Sequence, residues 1–348
     1  SNYIRLKKKL KEIVLKKGHN IRISGVPSTD SQSLITSKKV GVSPNSFRNV
    51  KPKLMVSEGD IVRIGSPLFY DKTKPKVKWA SPASGVISKI SYGARRVIEK
   101  IEIEVNGKDK IINDLKNIEN LQDASRNDII NFLLDANLFH LIRERPFNRV
   151  ADPDKKPRDI FISGLNTGPI AVDLSKIINE NKAALQTGLT AISKLTTGKT
   201  YFTSSQNHNF KNVENQIIFG QHPAGNVGIQ IHHTKPIKPN DIVWTIDAQH
   251  LLTIGRLFET GSYDPSMTVT IGGSGARAPF IAKVNACVHV EDLIINQNLN
   301  KQKIRLVSGD VLTGETISQN DFLGFYDSTL SILNDIVKRP FLGMLSIG

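Results

Sequence analysis

Val56-Ser57-Glu58-Gly59-Asp60-Ile61-Val62, then Gly65-Ser66-Pro67-Leu68, then Ser81-Pro82-Ala83-Ser84-Gly85-Val86-Ile87: these three runs decide how the first part of the chain is read. Glycine lacks a Cβ and tolerates tight corners, so Gly59, Gly65 and Gly85 read as turns between short strands, with valines and isoleucines directed inward. Upstream, residues 21–23 alternate briefly before Gly25, Pro27 and a Ser/Thr-rich stretch interrupt them.

Downstream of about residue 116 the spacing becomes helical. Ser125 is placed to cap a helix carrying Ile129, Ile130, Phe132, Leu133 and Leu134 on one face. Strands are expected at residues 160–162, 200–202, 216–219 and 242–246. One long amphipathic helix with Ile177, Ile178, Leu185, Leu189, Ile192 and Leu195 lies between the first two. Asp247 caps a further helix through Leu251, Leu252, Ile254 and Leu257. Strand, helix, strand at this spacing argues for an open α/β sheet of Rossmann type. From Gly261 the pattern returns to strands, at 267–271, 280–284 and 304–307, around a short helix near Val290. That arrangement suggests a ubiquitin-like β-grasp.

The order Glu-Gly-Asp, Gly-x-Pro-Leu, Pro-x-x-Gly-Val resembles the biotinyl/lipoyl carrier domain, a flattened barrel-sandwich of two small sheets. The fold class expected is therefore α/β multidomain. The divisions are a biotinyl/lipoyl-like β domain at 1–115, a Rossmann-like domain at 116–258, a β-grasp domain at 259–333, and the start of a helical segment at 334–348 that relatives would continue. Carrier domains display a modifiable lysine on a hairpin tip, and Lys74 falls near that position, seven residues before Ser81. The loop from Gly65 is about one residue short and Pro75 follows directly, so a structural copy of the carrier fold is the preferred reading.

Composition narrows the function. Hydrophobic residues make up 39% of the 348 and charged residues 23%, a globular profile. No run approaches the roughly 20 apolar residues of a membrane-spanning helix, and the opening lacks the pattern of a signal peptide. A soluble, intracellular chain is expected. Cys287 is the single cysteine, so neither an intrachain disulfide nor a four-thiolate cluster can form within these residues. The net charge of +15 is spread along the chain, with local runs at Lys7, Lys8, Lys9 and Lys11 and again between Lys72 and Lys78. With 14 Phe, 6 Tyr and 2 Trp and no basic stripe interleaved with aromatics, no platform for stacking nucleic-acid bases is apparent. No nucleic-acid partner is expected.

Three blocks carry a more specific resemblance. They are Leu141-Ile142-Arg143-Glu144-Arg145-Pro146-Phe147-Asn148-Arg149-Val150, Phe219-Gly220-Gln221-His222-Pro223-Ala224-Gly225, and Val307-Ser308-Gly309-Asp310-Val311-Leu312-Thr313-Gly314. With Leu15-Lys16-Lys17-Gly18 they lie in register with the A-subunit family of Na(+)-translocating NADH:quinone oxidoreductases (Na(+)-NQR). Residues before about Ile13 read as an extension to that family. The resemblance implies a six-subunit pump that oxidises NADH, reduces ubiquinone and exports Na⁺. The flavins and iron–sulfur cluster would sit in the complex and no cofactor on this chain. A member of this family would be peripheral, on the cytoplasmic face of the bacterial inner membrane, with five other subunits of the Na(+)-NQR complex for partners.

The family is similar in fold to flavin-binding subunits that use a glycine-rich loop where this chain has residues 143–147. Side chains at each position, Pro146 without an N–H and Glu144 with a like charge all argue against a flavin phosphate there. His140, Arg143, Arg145 and Phe147 are the candidate quinone contacts, offering donors and a flat apolar wall. The plainer reading pairs both arginines with carboxylates and packs Phe147 in the core. His222, His232 and His233 are too widely spaced for a closed zinc site, and His222-Pro223-Ala224-Gly225 reads as a turn with the imidazole bonded to backbone. No catalytic residue is assigned. An independent nucleotide- or flavin-dependent oxidoreductase, or a carrier using Lys74, remain the alternatives.

Overall fold

In the computed structural model, the structure describes residues 10–29, 32–113, 118, 120–297, 299 and 303–335. Lys7, Lys8 and Lys9 and the segment after residue 335 lie outside the described residues.

A seven-stranded sheet occupies the middle of the chain. Its strands are β1 (Lys11–Val14), β2 (Arg143–Arg145), β3 (Arg149–Val150), β4 (Ile160–Ser163), β5 (Thr200–Ser204), β6 (Glu214–Phe219) and β7 (Val243–Asp247), ordered β1-β6-β5-β4-β7-β2-β3. The run from β1 to β7 is parallel, and β2 and β3 add to it antiparallel. Parallel strands are covered on both faces and so carry near-continuous apolar runs. Every residue of β4 and β5 is accordingly buried.

The helices are α1 (Arg126–Asp135), α2 (Leu174–Glu180), α3 (Lys182–Ser193), α4 (Val227–Thr234), α5 (Ala248–Thr260) and α6 (Val290–Ile294). Ser125 caps α1 in a reciprocal box, its hydroxyl accepting from the Asp128 N–H while the Asp128 carboxylate accepts from the Ser125 N–H. Asp247 caps α5 by accepting from the His250 N–H at 2.9 Å. The single helix expected from 177 to 195 is broken at Asn181, whose amide donates to the Ile177 carbonyl and accepts from Arg256. α3 and α5 touch through glycines: a Cβ on Gly255 would lie 1.8 Å from the Ala184 carbonyl oxygen, and one on Gly188 would lie 2.8 Å from that of Leu251.

The sandwich is formed by a four-stranded sheet (Lys39–Val42, Ile98–Gly107, Ser84–Tyr92, Ile61–Val62) and a three-stranded one (Pro52–Leu54, Pro67–Asp71, Lys74–Ala80). Leu68, Phe69, Val77, Trp79, Ile87, Ile101 and Ile103 fill its core. The Glu-Gly-Asp corner is fastened by its own side chains. Asp60 accepts from the Ser57 N–H at 2.7 Å, Glu58 accepts from the Ile90 N–H at 2.7 Å, and Gly59 sits at φ 90°. Lys74 opens the returning strand of a hairpin whose turn is held by buried Asp71, which accepts from the Thr73 N–H and hydroxyl.

The fourth sheet, six-stranded, is ordered Glu315–Ile317, Ile304–Ser308, Thr329–Asn334, Ser266–Gly272, Phe280–Asn285, Gln32–Leu34. α6 packs on it through Val290, Leu293 and Ile294. Asn334, placed by the sequence at the start of a helical segment, instead ends a strand that pairs with Ile304–Ser308.

Two strands ahead of the sandwich, at 11–14 and 32–34, do not stay with it. β1 pairs in parallel with β6, Lys11 opposite Gln216, and Gln32–Leu34 pairs in parallel with Phe280–Asn285. Residues 21–23 join no sheet. The stretch before Ile13, expected as an extension, thus contributes a strand to the α/β sheet from Lys11 onward.

Candidate functional site

A cleft of ≈ 620 Å³ opens where β4 and β7 end, between the start of α4 and a wall supplied by residues around 263–267, 310–313 and 325–328. In open α/β sheets this is the edge at which ligands bind, because the backbone there turns away on both sides.

β2 supplies its charged floor. Alternation along a strand puts Arg143 and Arg145 on one face and Glu144 on the other. Arg143 stands opposite Thr245 in register and lines the cleft with it, as does Arg145. Glu144 faces the other way, opposite Trp244, and pairs with Arg149 at 2.7 Å. The Glu144 charge expected beside any phosphate is therefore turned out of the cleft, and the carboxylates that line it are Asp247 and Asp310. Residues 143–145 are also a strand, paired with β7 along 143–145 and with β3 at 143–144, and residues 146–148 are the turn that follows. The backbone is thus committed to the sheet and cannot wrap a phosphate as a glycine loop does, yet the cleft beside it stays open. Side-chain bulk does not close it.

Neither Arg143 nor Arg145 forms a salt bridge among the described residues, so the expected carboxylate pairing does not occur. Burial, reinforced by neighbouring Arg143, pulls the Arg145 guanidinium down to about 10. Arg143 instead lies over Tyr326, its Cζ 4.3 Å from the ring centroid. Burial raises the Tyr326 phenol, whose hydroxyl has no hydrogen-bond partner. Further in, Asp247 and His250 pair at 2.5 Å. Burial pushes the Asp247 carboxyl up, but His250, its backbone N–H and Arg143 outweigh it and hold the group well below the usual carboxylate range. The His250 ring stacks on Phe325, centroids 5.4 Å apart.

His140 and Phe147 are outside this site. His140 is 1% exposed, stacked on Trp79 at 5.3 Å, with Nδ1 3.2 Å from the Lys78 carbonyl oxygen. Burial depresses it to about 3, so it is a neutral ring, enclosed in the core out of a ligand's reach. Phe147 is 60% exposed on the turn between β2 and β3, beneath Arg149 and away from both cleft and core. Of the four candidates, the two arginines are brought together and the other two are not. Thr245, Tyr326 and the Asp247–His250 pair escaped the sequence reading; only Asp247 left a signal, as a helix cap.

His222-Pro223-Ala224-Gly225 is a turn, with His222 Nδ1 3.2 Å from the Thr167 hydroxyl and not on backbone. Among the described residues no three His, Cys, Asp or Glu gather as a metal's ligands would. Cys287 is buried, and desolvation raises its thiol to about 12.

Fold and cleft together define a multidomain α/β protein, with a barrel-sandwich domain preceding a sheet that opens on a ligand-sized cleft. Residues 13–106 match the NqrA N-terminal barrel-sandwich hybrid domain, and residues 124–263 match the NqrA second alpha/beta domain. The chain belongs to the NqrA family, the A subunits of Na(+)-translocating NADH-quinone reductases. It is 31% identical over 342 residues to NqrA from Saccharophagus degradans, covering 97% of this chain and 76% of the relative. The Hahella chejuensis relative is 32% identical over the same 342 residues and shares. The Tolumonas auensis relative is 32% identical over 345 residues, again 97% and 76%. These relatives are named as one component of an enzyme complex. A solved NAD+-reducing [NiFe]-hydrogenase is similar at a TM-score of 0.43 and 9% identity, covering 66% of this chain and 52% of that one.

Proposed function

We propose that this chain serves as the NqrA component of a respiratory Na⁺ pump that oxidises NADH, reduces ubiquinone to ubiquinol and exports Na⁺. It does so by docking on the complex, inactive alone and without a tightly bound redox cofactor. The observation that carries this reading is the family likeness running along 97% of the chain. In this reading the chain is peripheral, on the cytoplasmic face and against integral subunits; no helix among the described residues is long and apolar enough to cross a membrane. The single buried cysteine gives no thiolate set for a cluster within these residues. In this reading five other subunits complete the complex and hold its flavins and iron–sulfur centre.

The domain divisions belong to the same proposal: a biotinyl/lipoyl-like sandwich to about 115, a Rossmann-like domain to about 258, then a β-grasp to about 333. A contribution to quinone binding rests on Arg143 and Arg145 as donors, beside the flat ring surface of His250 and Phe325. The test is a pull-down of the tagged chain from solubilised native membranes. Recovery of flavin-bearing integral subunits is expected; their absence would remove the reading.

The ligand-sized cleft favours one alternative, a nucleotide-dependent oxidoreductase acting alone. It requires a yellow protein or saturable NADH binding by the purified chain, and a colourless chain without such binding discards it.

A further inference from the structure

We propose that the cleft holds a small organic oxyanion, a phosphate ester or a carboxylate, gripped by Arg143 and Arg145 against Thr245 and the amino end of α4. This goes beyond the chain's place in a pump and stands whatever that place is.

Charge is the first argument. The other half-buried arginines of the fold are matched within the protein. Arg149 meets Glu144, Arg158 meets Asp159, Arg256 meets Asp264, and Arg126 donates to three carbonyls. Arg143 and Arg145 sit two residues apart on one face of β2 with no carboxylate at salt-bridge distance among the described residues. Two like charges held together at the floor of a cleft destabilise each other until a counter-charge arrives. The nearby acids are engaged elsewhere: Asp247 is paired with His250, Asp310 accepts from the Leu312 and Thr313 N–H groups, and Asp327, which feels the charge of Arg143, accepts from the Ser308 hydroxyl.

Unmet hydrogen-bonding capacity is the second. Thr245 is 2% exposed, lines the cleft and has a hydroxyl with no partner; Arg145 Nε is likewise buried and unpartnered. Buried donors left unmatched are destabilising unless a ligand or water completes them. Across the cleft, α4 begins at Val227 without a side-chain cap from Asn226, and residues 226–228 line the same space. The first amides of a helix lack intrahelical acceptors and carry its positive dipole end, which favours anions. Forked guanidiniums match the oxygens of phosphate and carboxylate alike. The ≈ 620 Å³ volume suits a metabolite-sized molecule.

The experiment titrates the purified chain with inorganic phosphate and, separately, with succinate. Ionic strength is held constant with potassium chloride, and binding is read by calorimetry and by thermal unfolding. Saturable binding with a raised Tm is expected. A stronger response to phosphate assigns a phosphate ester, and a stronger response to succinate a carboxylate. Losing one guanidinium, in Arg143→Met or Arg145→Met, should weaken binding about tenfold or more. Thr245→Val keeps the shape and removes the orphan hydroxyl, so it should unfold at a higher temperature yet bind the anion more weakly. That opposed pair of readouts separates a ligand contact from a structural role, and keeps the test open if an arginine variant fails to fold. No response to either anion, or equal binding by wild type, Arg143→Met and Thr245→Val, overturns the proposal.

Discussion

Arg143 and Tyr326 tie two sheets together across the cleft: the guanidinium of the first, on β2, lies 4.3 Å from the ring centroid of the second, just ahead of the strand Thr329–Asn334. A cation over an aromatic face contributes about 0.5–2 kcal/mol, more as water is excluded. A double-mutant cycle with Arg143→Met and Tyr326→Leu should return a coupling of about 1 kcal/mol in urea unfolding. Tyr326→Phe retains the ring and removes a buried hydroxyl that has no partner, so its stability should equal or exceed wild type. Additive single-mutant effects would dismiss the tie.

Acid should weaken the protein through His140. Its folded-state value of about 3 lies below the roughly 6.5 of an unfolded histidine, so the unfolded chain takes up the proton first as pH falls. The contribution is whole above about pH 6.5 and is lost on acidification toward the folded value, at up to about 1.4 kcal/mol per pH unit. His140→Phe can keep the stack on Trp79 without a titrating group. Its Tm should therefore fall less steeply than that of wild type between roughly pH 6 and 4. Parallel acid limbs for the two proteins would refute this.

The α3–α5 contact has no room for a methyl group. Gly255→Ala places a Cβ 1.8 Å from the Ala184 carbonyl oxygen, so the helices must separate. Overpacking of this kind destabilises by about 1–3 kcal/mol, against the small gain alanine brings to a helix. The shift should appear as a lower urea midpoint; an unchanged or higher midpoint would contradict the packing described.

Lys74 is expected to stay unmodified. Its ammonium sits 3.4 Å from the Val150 carbonyl oxygen, so the hairpin that a carrier would present to partners is here laid against the α/β domain. Intact mass spectrometry of the chain from its native cell should show no lipoyl or biotinyl addition. Detection of either group would restore the carrier reading.

The sandwich, the parallel strands and the helix caps are legible because their signals are local. Gly59 makes a corner by itself, Ser125 and Asp247 cap by themselves, and β4, β5 and β7 are apolar enough to announce burial. β2 is not legible: Arg-Glu-Arg has no strand propensity, and it extends because β7 offers an unpaired edge. The site turns on that difference. As a loop, residues 143–147 would fill a pocket with side chains; with 143–145 as a strand, Glu144 is sorted to one face and two arginines to the other. His140 is hidden for a similar reason, since nothing in its sequence neighbours tells that Trp79 and Phe47, over 60 positions earlier, enclose it.

The pairing of β1 with β6 and of Gln32–Leu34 with Phe280–Asn285 bears on how the chain is made. During synthesis the leading segment leaves the ribosome some 200 residues before its first partner strand and later still before its second. Until then it carries open edges that invite the wrong neighbour. The seven-stranded and six-stranded sheets are thus completed only once residues 219 and 285 have been made, and fragments cut between the sheets would leave each of those two without the strand that the leading segment supplies.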